Sequence, residues 1–357
     1  MKIILSGGGT LGPVTTLLAI ADAYKKRNSQ CEFLWIGTKS GPEKRVVETA
    51  GIKFFSIKSG KLRRYFSVIN IFDLFRISTA FFESVMILKK EKPDLLISAG
   101  GFVSVPLHWA AWFLKIPTWI HQQDVMPGLA NRLMAKTATK ITVALEKSRQ
   151  YFDIKKTEWI GNPCREIAAD INKSREYFNI RDNEPVILAV GGGTGAQKLN
   201  QMVLEALPQL SESWHIIHIV GPERSADGDE DATKKYANYK VFRFLNEEMI
   251  YALNAADIVF SRAGFATLTE LAFLSKAVIL MPISDTHQEK NAEPLAKAGA
   301  VSLIDERTDD GAVLAKKIKE LAQDPVKREA IGKVLHNFLP VAKPDKISEI
   351  IDILIKK

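Results

Sequence analysis

Two glycine-rich turns of nearly the same construction stand about half a chain apart, each after a short apolar strand and before a helix-forming run. The first follows Ile3-Ile4-Leu5-Ser6 and reads Gly7-Gly8-Gly9-Thr10-Leu11-Gly12. The second follows Val186-Ile187-Leu188-Ala189-Val190 and reads Gly191-Gly192-Gly193-Thr194-Gly195-Ala196. Glycine lets the backbone turn sharply and brings bare N–H groups close to a ligand. The helix that follows adds its positive end, so each turn is a candidate anion site. Two such units predict an α/β protein of two Rossmann-like, doubly wound parallel-sheet domains facing each other across a cleft.

Strand and helix patterns alternate throughout, which is the mark of parallel sheets. Strands are expected at 2–6, 32–37, 53–57, 94–98, 117–121 and 140–144, then at 186–191, 215–220, 240–243, 257–260, 277–281 and 301–304. The segment Trp159-Ile160-Gly161-Asn162-Pro163 interrupts any regular element and marks the domain boundary. The expected domains are residues 1–162 and 163–340, with an amphipathic helix at 345–357 closing the first. At 357 residues the chain is long enough for both.

Charge is unevenly placed. Residues 1–162 hold 24 Lys and Arg against 12 Asp and Glu; the remainder holds 25 against 29. A basic first half points to an anionic partner. No zinc finger, RNP-like motif or recognition helix accompanies the charge, so nucleic acid is not expected. Around residues 61–75, Lys61, Arg63 and Arg64 adjoin Tyr65-Phe66 and Ile69-Asn70-Ile71-Phe72. Cations beside rings are what an anionic membrane surface would bind. No apolar run reaches 18 residues, so contact should be peripheral. The glycine triplet and Pro13 break any signal-peptide core. The two cysteines form no disulfide framework, which fits a reducing compartment.

A dinucleotide reading needs an acidic residue at the end of the second strand, and Phe33–Thr38 runs into Lys39 without one. More informative is Ser261-Arg262-Ala263-Gly264-Phe265, which leaves a strand and enters a helix carrying Glu270. A carboxylate there could accept two ribose hydroxyl hydrogen bonds. Downstream, Pro282–Ala292 places His287, Gln288 and Asn291 after another strand, where parallel sheets line their ligand crevice.

With these motifs in order, the chain resembles the MurG-type N-acetylglucosaminyltransferases of peptidoglycan synthesis. The resemblance rests on Gly8-Gly9-Thr10, Gly100–Pro106, His121–Asp124 with Pro127–Asn131, Gly161-Asn162-Pro163 with Arg165, the 191–196 loop, Arg262–Glu270 and His287-Gln288 with Asn291-Ala292. It implies the GT-B fold and inverting transfer of N-acetylglucosamine from UDP-N-acetylglucosamine to a lipid-linked acceptor, at the cytoplasmic face of the membrane. No cofactor and no metal ion are implied. By position, Gly192, Gly193, Thr194, Gly195, Gly264 and Arg165 would meet the diphosphate, and Asn246 the base. Glu270 would hold the ribose, with His287 and Gln288 at the sugar. Gly9, Thr10, Gly12, Gly100, Gly101 and Ser104 would face the acceptor.

The chain departs from the family pattern in three places. The usual GGTGGH turn has Leu11-Gly12-Pro13 at its end, so its histidine, a proposed general base, is replaced by proline. The usual HEQN turn reads His121-Gln122-Gln123-Asp124. The serine and glutamine of the second glycine loop are Gly193 and Thr194. The proton-accepting role is therefore expected of Asp124 or His121. Alternatives are a related transferase with another donor or glycolipid acceptor, and a silent nucleotide-sugar-binding relative.

Overall fold

The structure, a computed structural model, describes residues 1–58, 69–180, 183–192, 196–221 and 229–356. The expected diphosphate residues Gly193, Thr194 and Gly195 lie outside it. So does most of the basic-aromatic stretch at 61–75. The chain divides into two compact units, Met1–Arg165 with Val341–Lys357, and Glu166–Pro340.

The first unit runs β1 (Lys2–Ser6), α1 (Gly12–Arg27), β2 (Glu32–Thr38), α2 (Glu43–Thr49), β3 (Lys53–Ile57), α3 (Ile69–Glu91), β4 (Leu95–Ser98), α4 (Ser104–Phe113), β5 (Thr118–Gln122), α5 (Leu129–Ala135), β6 (Lys140–Val143) and β7 (Thr157–Trp159). All its strands are parallel, in the order β3-β2-β1-β4-β5-β6-β7. The inner strands are continuous apolar runs because helices cover both faces. The sequence reading missed β7: three residues at a sheet edge carry no periodic signal, and their pairing to β6 is a tertiary contact.

The second unit runs α6 (Ile171–Tyr177), β8 (Val186–Val190), α7 (Gln197–Ala206), β9 (His215–Ile219), α8 (Asp229–Lys235), β10 (Tyr239–Phe242), α9 (Met249–Ala255), β11 (Ile258–Ser261), α10 (Phe265–Phe273), β12 (Ala277–Leu280), α11 (His287–Lys297), β13 (Ser302–Leu303), α12 (Gly311–Ala322) and α13 (Pro325–Phe338). Its sheet is also parallel, in the order β10-β9-β8-β11-β12-β13. The last helix, α14 (Pro344–Ile355), returns to the first unit. Its apolar stripe of Ile347, Ile350, Ile351 and Leu354 joins the core beside α1. The Tyr24 hydroxyl donates to Asp352 at 2.8 Å and Arg27 pairs with the same carboxylate at 3.0 Å. Among the described residues no helix is long and apolar enough to cross a membrane.

Candidate active site

A doubly wound sheet binds ligands at the carboxyl ends of its strands, where successive connections leave in opposite directions. In the first unit that point falls between β1 and β4. It sets the Gly7–Gly12 turn beside the Ala99–Val103 turn. Contact there is close: a Cβ on Gly101 would lie 2.9 Å from the Gly8 carbonyl oxygen, and Gly101 has φ +97°. Gly9 and Thr10 are exposed, while Gly12 and Gly101 are half-buried and Gly100 is buried. Ser104, also expected at the acceptor, turns its side chain inward. It is fully buried, accepts from the Ser6 hydroxyl at 3.0 Å and donates to the Gly100 carbonyl at 3.2 Å, so it shapes the loop instead.

His121 near the end of β5 is also sealed. The Trp119 indole N–H donates to Thr142 Oγ1 at 2.8 Å, and that hydroxyl lies 2.8 Å from His121 Nδ1. Nε2 lies 2.8 Å from Asn162 Oδ1, which can only accept, so Nε2 carries the proton and Nδ1 receives the threonine's. Burial holds the imidazole down to about 4, against a smaller opposing pull from Asn162. A fully buried ring with both nitrogens engaged has no atom left for a substrate proton; His121 is a brace, and the expectation of a base falls on Asp124.

Asp124 sits half-buried in the bend after β5. That bend is stapled by Gln122, whose Nε2 donates to the carbonyls of Asp124 at 2.8 Å and Met126 at 3.4 Å. The amide is oriented in turn by Asn131 Nδ2, which donates to Gln122 Oε1 at 2.6 Å. An amide can donate to carbonyls and accept from another amide at once, which a carboxylate cannot.

The carboxylate absent from the end of β2 in sequence is supplied from further along the chain. Glu43, the first residue of α2, is fully buried and reaches back to accept from the Thr38 N–H at 2.7 Å and the Gly9 N–H at 3.3 Å. The only sequence signal of its presence is the spacing of Gly8, Gly37 and Gly41, which leave it room.

In the second unit the corresponding point lies between β8 and β11. It brings Gly191-Gly192 beside Arg262–Gly264. Gly264 is the N-cap of α10, with no side-chain cap hydrogen bond among the described residues. Glu270 stands half-buried on the same helix. Arg262 was not expected to do what it does here. Its guanidinium donates to Glu306 at 2.5 Å and to the carbonyls of Met281 at 3.0 Å and Pro282 at 3.5 Å. Glu306 also accepts from the Ser284 N–H at 3.1 Å. Burial pushes its carboxyl up, but Arg262 and the Ser284 N–H outweigh that and hold it below the usual range. The pair ties three strand ends to the loop leading into α11. On that loop Thr286 caps α11, accepting from the Gln288 N–H at 3.2 Å, and Gln288 Oε1 accepts from the Ile283 N–H at 3.2 Å. His287 is exposed beside it. Asn246 is exposed before α9, its own N–H given to Glu248 at 3.0 Å. Arg165 is half-buried and ends the first segment of the first unit.

The glycosyltransferase family 28 N-terminal domain matches residues 3–143 and the family 28 C-terminal domain matches residues 186–341. The chain is 36% identical over 329 residues to the UDP-N-acetylglucosamine–N-acetylmuramyl-(pentapeptide) pyrophosphoryl-undecaprenol N-acetylglucosamine transferase of Clostridium botulinum, covering 90% of this chain and 91% of that one. It is 33% identical to the Clostridium perfringens protein of the same name, over 96% and 98% of the two chains. The crystal structure of Acinetobacter baumannii MurG superposes with a TM-score of 0.75 at 26% identity, over 100% and 99% of the chains. A UDP-GlcNAc 2-epimerase from Neisseria meningitidis shares the fold, with a TM-score of 0.70 at 16% identity over the full length of both chains. Matched in both units and along nearly its whole length, the chain belongs to glycosyltransferase family 28, as a glycosyltransferase of the MurG type.

Proposed function

We propose that this enzyme transfers N-acetylglucosamine from UDP-N-acetylglucosamine to the 4-hydroxyl of N-acetylmuramic acid in a polyprenyl-pyrophosphoryl acceptor, with inversion. The observation that carries the reading is the second unit's switch point, where the helix start capped by Gly264, with no side-chain cap hydrogen bond among the described residues, and the Glu270 carboxylate belong to one short helix. That pairing suits a nucleoside diphosphate: N–H groups for phosphate, a carboxylate for ribose hydroxyls. The relatives' names supply the sugar and the acceptor.

In this reading the second unit holds the donor through Gly192, Gly193, Thr194, Gly195, Gly264 and Glu270. Asn246 lies at the base, His287 and Gln288 at the sugar, and Arg165 adds positive charge for the diphosphate. The first unit holds the acceptor through Gly9, Thr10, Gly12, Gly100 and Gly101. The acceptor oxygen attacks the anomeric carbon, its proton passes to Asp124, and the bond to the diphosphate breaks with both electrons leaving on UDP. A helix start facing that growing charge contributes up to about 2 kcal/mol.

Membrane contact belongs to the same reading. Phe82 and Met86 on α3, with Trp112 and Phe113 on α4, are all more than 60% exposed. They are joined through Phe81, whose ring lies 5.6 Å from Phe82 and 6.2 Å from Phe113. Lys89, Lys90, Lys92 and Lys115 are exposed on the same two helices and their ends. Apolar rings rimmed by lysines suit an anionic bilayer surface, such as the cytoplasmic face of the cell membrane. The test is UDP release from UDP-N-acetylglucosamine with and without a short-chain lipid-linked acceptor. Acceptor-dependent release is expected; release independent of acceptor, or none despite donor binding, overturns the assignment.

A further inference from the structure

We infer that Glu43 is a positioning residue for acceptor binding, an in-chain anion that fixes the Gly7–Gly12 turn from behind; the inference rests on the acceptor role proposed for that turn. Three donors converge on its fully buried carboxylate: the Thr38 N–H, the Thr38 hydroxyl and the Gly9 N–H. A buried carboxylate is tolerated only when so satisfied. The chain makes room for it at several places. A Cβ on Gly8 or on Gly41 would collide with its carboxylate oxygens, and one on Gly37 would come within 3.2 Å of its Cγ.

The effect reaches the second loop of the crevice. Gly8 lies against Gly101 so closely that a Cβ on Gly101 would sit 3.1 Å from the Gly8 nitrogen as well as 2.9 Å from its oxygen. Gly9, at φ +83°, points its Cα at the Phe102 ring, where a Cβ would come within 3.2 Å. Moving Glu43 therefore moves Gly8 and Gly9, and these move Gly101 and Phe102. Because the Gly9 N–H is turned inward to Glu43, it is not offered to a ligand phosphate. Within this turn, that leaves the N–H groups of Thr10 to Gly12 for the acceptor diphosphate, with Gly9 lining the acceptor through its exposed backbone instead of its N–H. Glu43 is sealed from solvent, so it acts through the turn and takes no proton from the acceptor.

The test uses the full chain with UDP-N-acetylglucosamine and a short-chain lipid-linked acceptor. E43Q sets an NH2 group against N–H donors. Its acceptor KM should rise about tenfold, as for one lost charged hydrogen bond, with donor KM within about twofold of wild type. G8A, which cannot coexist with the carboxylate in place, should show the same split. Unchanged acceptor KM in folded E43Q, or equal rises in both KM values, overturns the inference. Should E43Q fail to fold, T38V keeps the carboxylate and removes one donor; a smaller split in the same direction supports the inference and no split overturns it. Amide hydrogen exchange separates this from the function itself. Faster exchange in both 7–12 and 99–104, relative to wild type, is expected of E43Q even if no acceptor is turned over. Unaltered exchange in both loops overturns the inference.

Discussion

The two units share one fold and lock their switch points with opposite charges. Each unit also holds a neutral relay around a buried histidine. In the first unit Trp119, Thr142, His121 and Asn162 are joined. In the second, the Tyr239 hydroxyl lies 2.7 Å from His218 Nδ1 and Asn200 Oδ1 lies 3.1 Å from Nε2. At the switch points the units differ. The first uses a buried carboxylate, Glu43, which consumes backbone N–H groups. The second uses a buried guanidinium, Arg262, which consumes backbone carbonyls. An internal anion competes with a ligand phosphate for N–H groups, and an internal cation does not. In the proposed reading this difference suits the second unit to the nucleoside diphosphate, although both carry a glycine turn after the first strand of their sheets, and Glu306 takes one N–H, that of Ser284, in the second.

The comparison is broken most readily at the site of chemistry. Asp124→Asn should lower kcat by about 10²–10⁴-fold, the usual worth of a positioned base, with UDP-N-acetylglucosamine affinity unchanged. Titration calorimetry beside steady-state turnover checks this, and near-wild-type kcat would remove Asp124 from the role. Arg262→Met leaves the half-buried Glu306 without its guanidinium partner, which should cost less than the roughly 3–5 kcal/mol of breaking a fully buried pair. Urea denaturation should show the loss in the second unit, and donor KM should rise as the loop before α11 loosens. Glu270→Ala should weaken donor binding by about 2 kcal/mol, the scale of a charge-assisted hydrogen bond, and leave acceptor KM unchanged.

Acid should separate the units more gently. Burial lowers His108 to about 3, His121 to about 4 and His218 to about 3. Above about pH 6.5, the ordinary histidine value, these imidazoles are neutral folded or unfolded, so stability does not change through them. As pH falls from there toward 4, the unfolded chain takes up protons that the folded chain refuses, and stability drops. The first unit holds two of the three, and among the described residues His108 has no hydrogen-bond partner on either ring nitrogen. Its amides should lose exchange protection first between pH 6.5 and 4.5; equal loss in both units would contradict this. The smallest effect is at the membrane face. Phe82→Ser with Trp112→Ser should reduce binding to anionic vesicles several-fold, because exposed apolar area contributes about 25 cal/mol per Å² buried. Turnover of a short-chain acceptor in detergent should hold at the wild-type level.

Periodicity alone located the strands at the positions later found, apart from β7, because a parallel strand buried on both faces is a local apolar run bounded by turn residues. The glycine turns were equally legible, since a sharp turn after a strand has a local chemical requirement. The basic bias of the first half and the motifs carrying the family resemblance were also readable directly. What required the fold was every decision about which side chain faces which. His121 read as a candidate base until the register of β5, β6 and the segment at Asn162 closed both its nitrogens. Ser104 read as a ligand contact until β1 and β4 paired and set Ser6 against it. Glu43 and Glu306 stand at a helix start and in a loop, with no motif around them in the sequence. Each becomes a lock only when distant strand ends converge. Hydrophobic pattern is a property of neighbours along the chain. Burial of a charge and satisfaction of a hydrogen bond belong to neighbours in space, and only the tertiary structure supplies those.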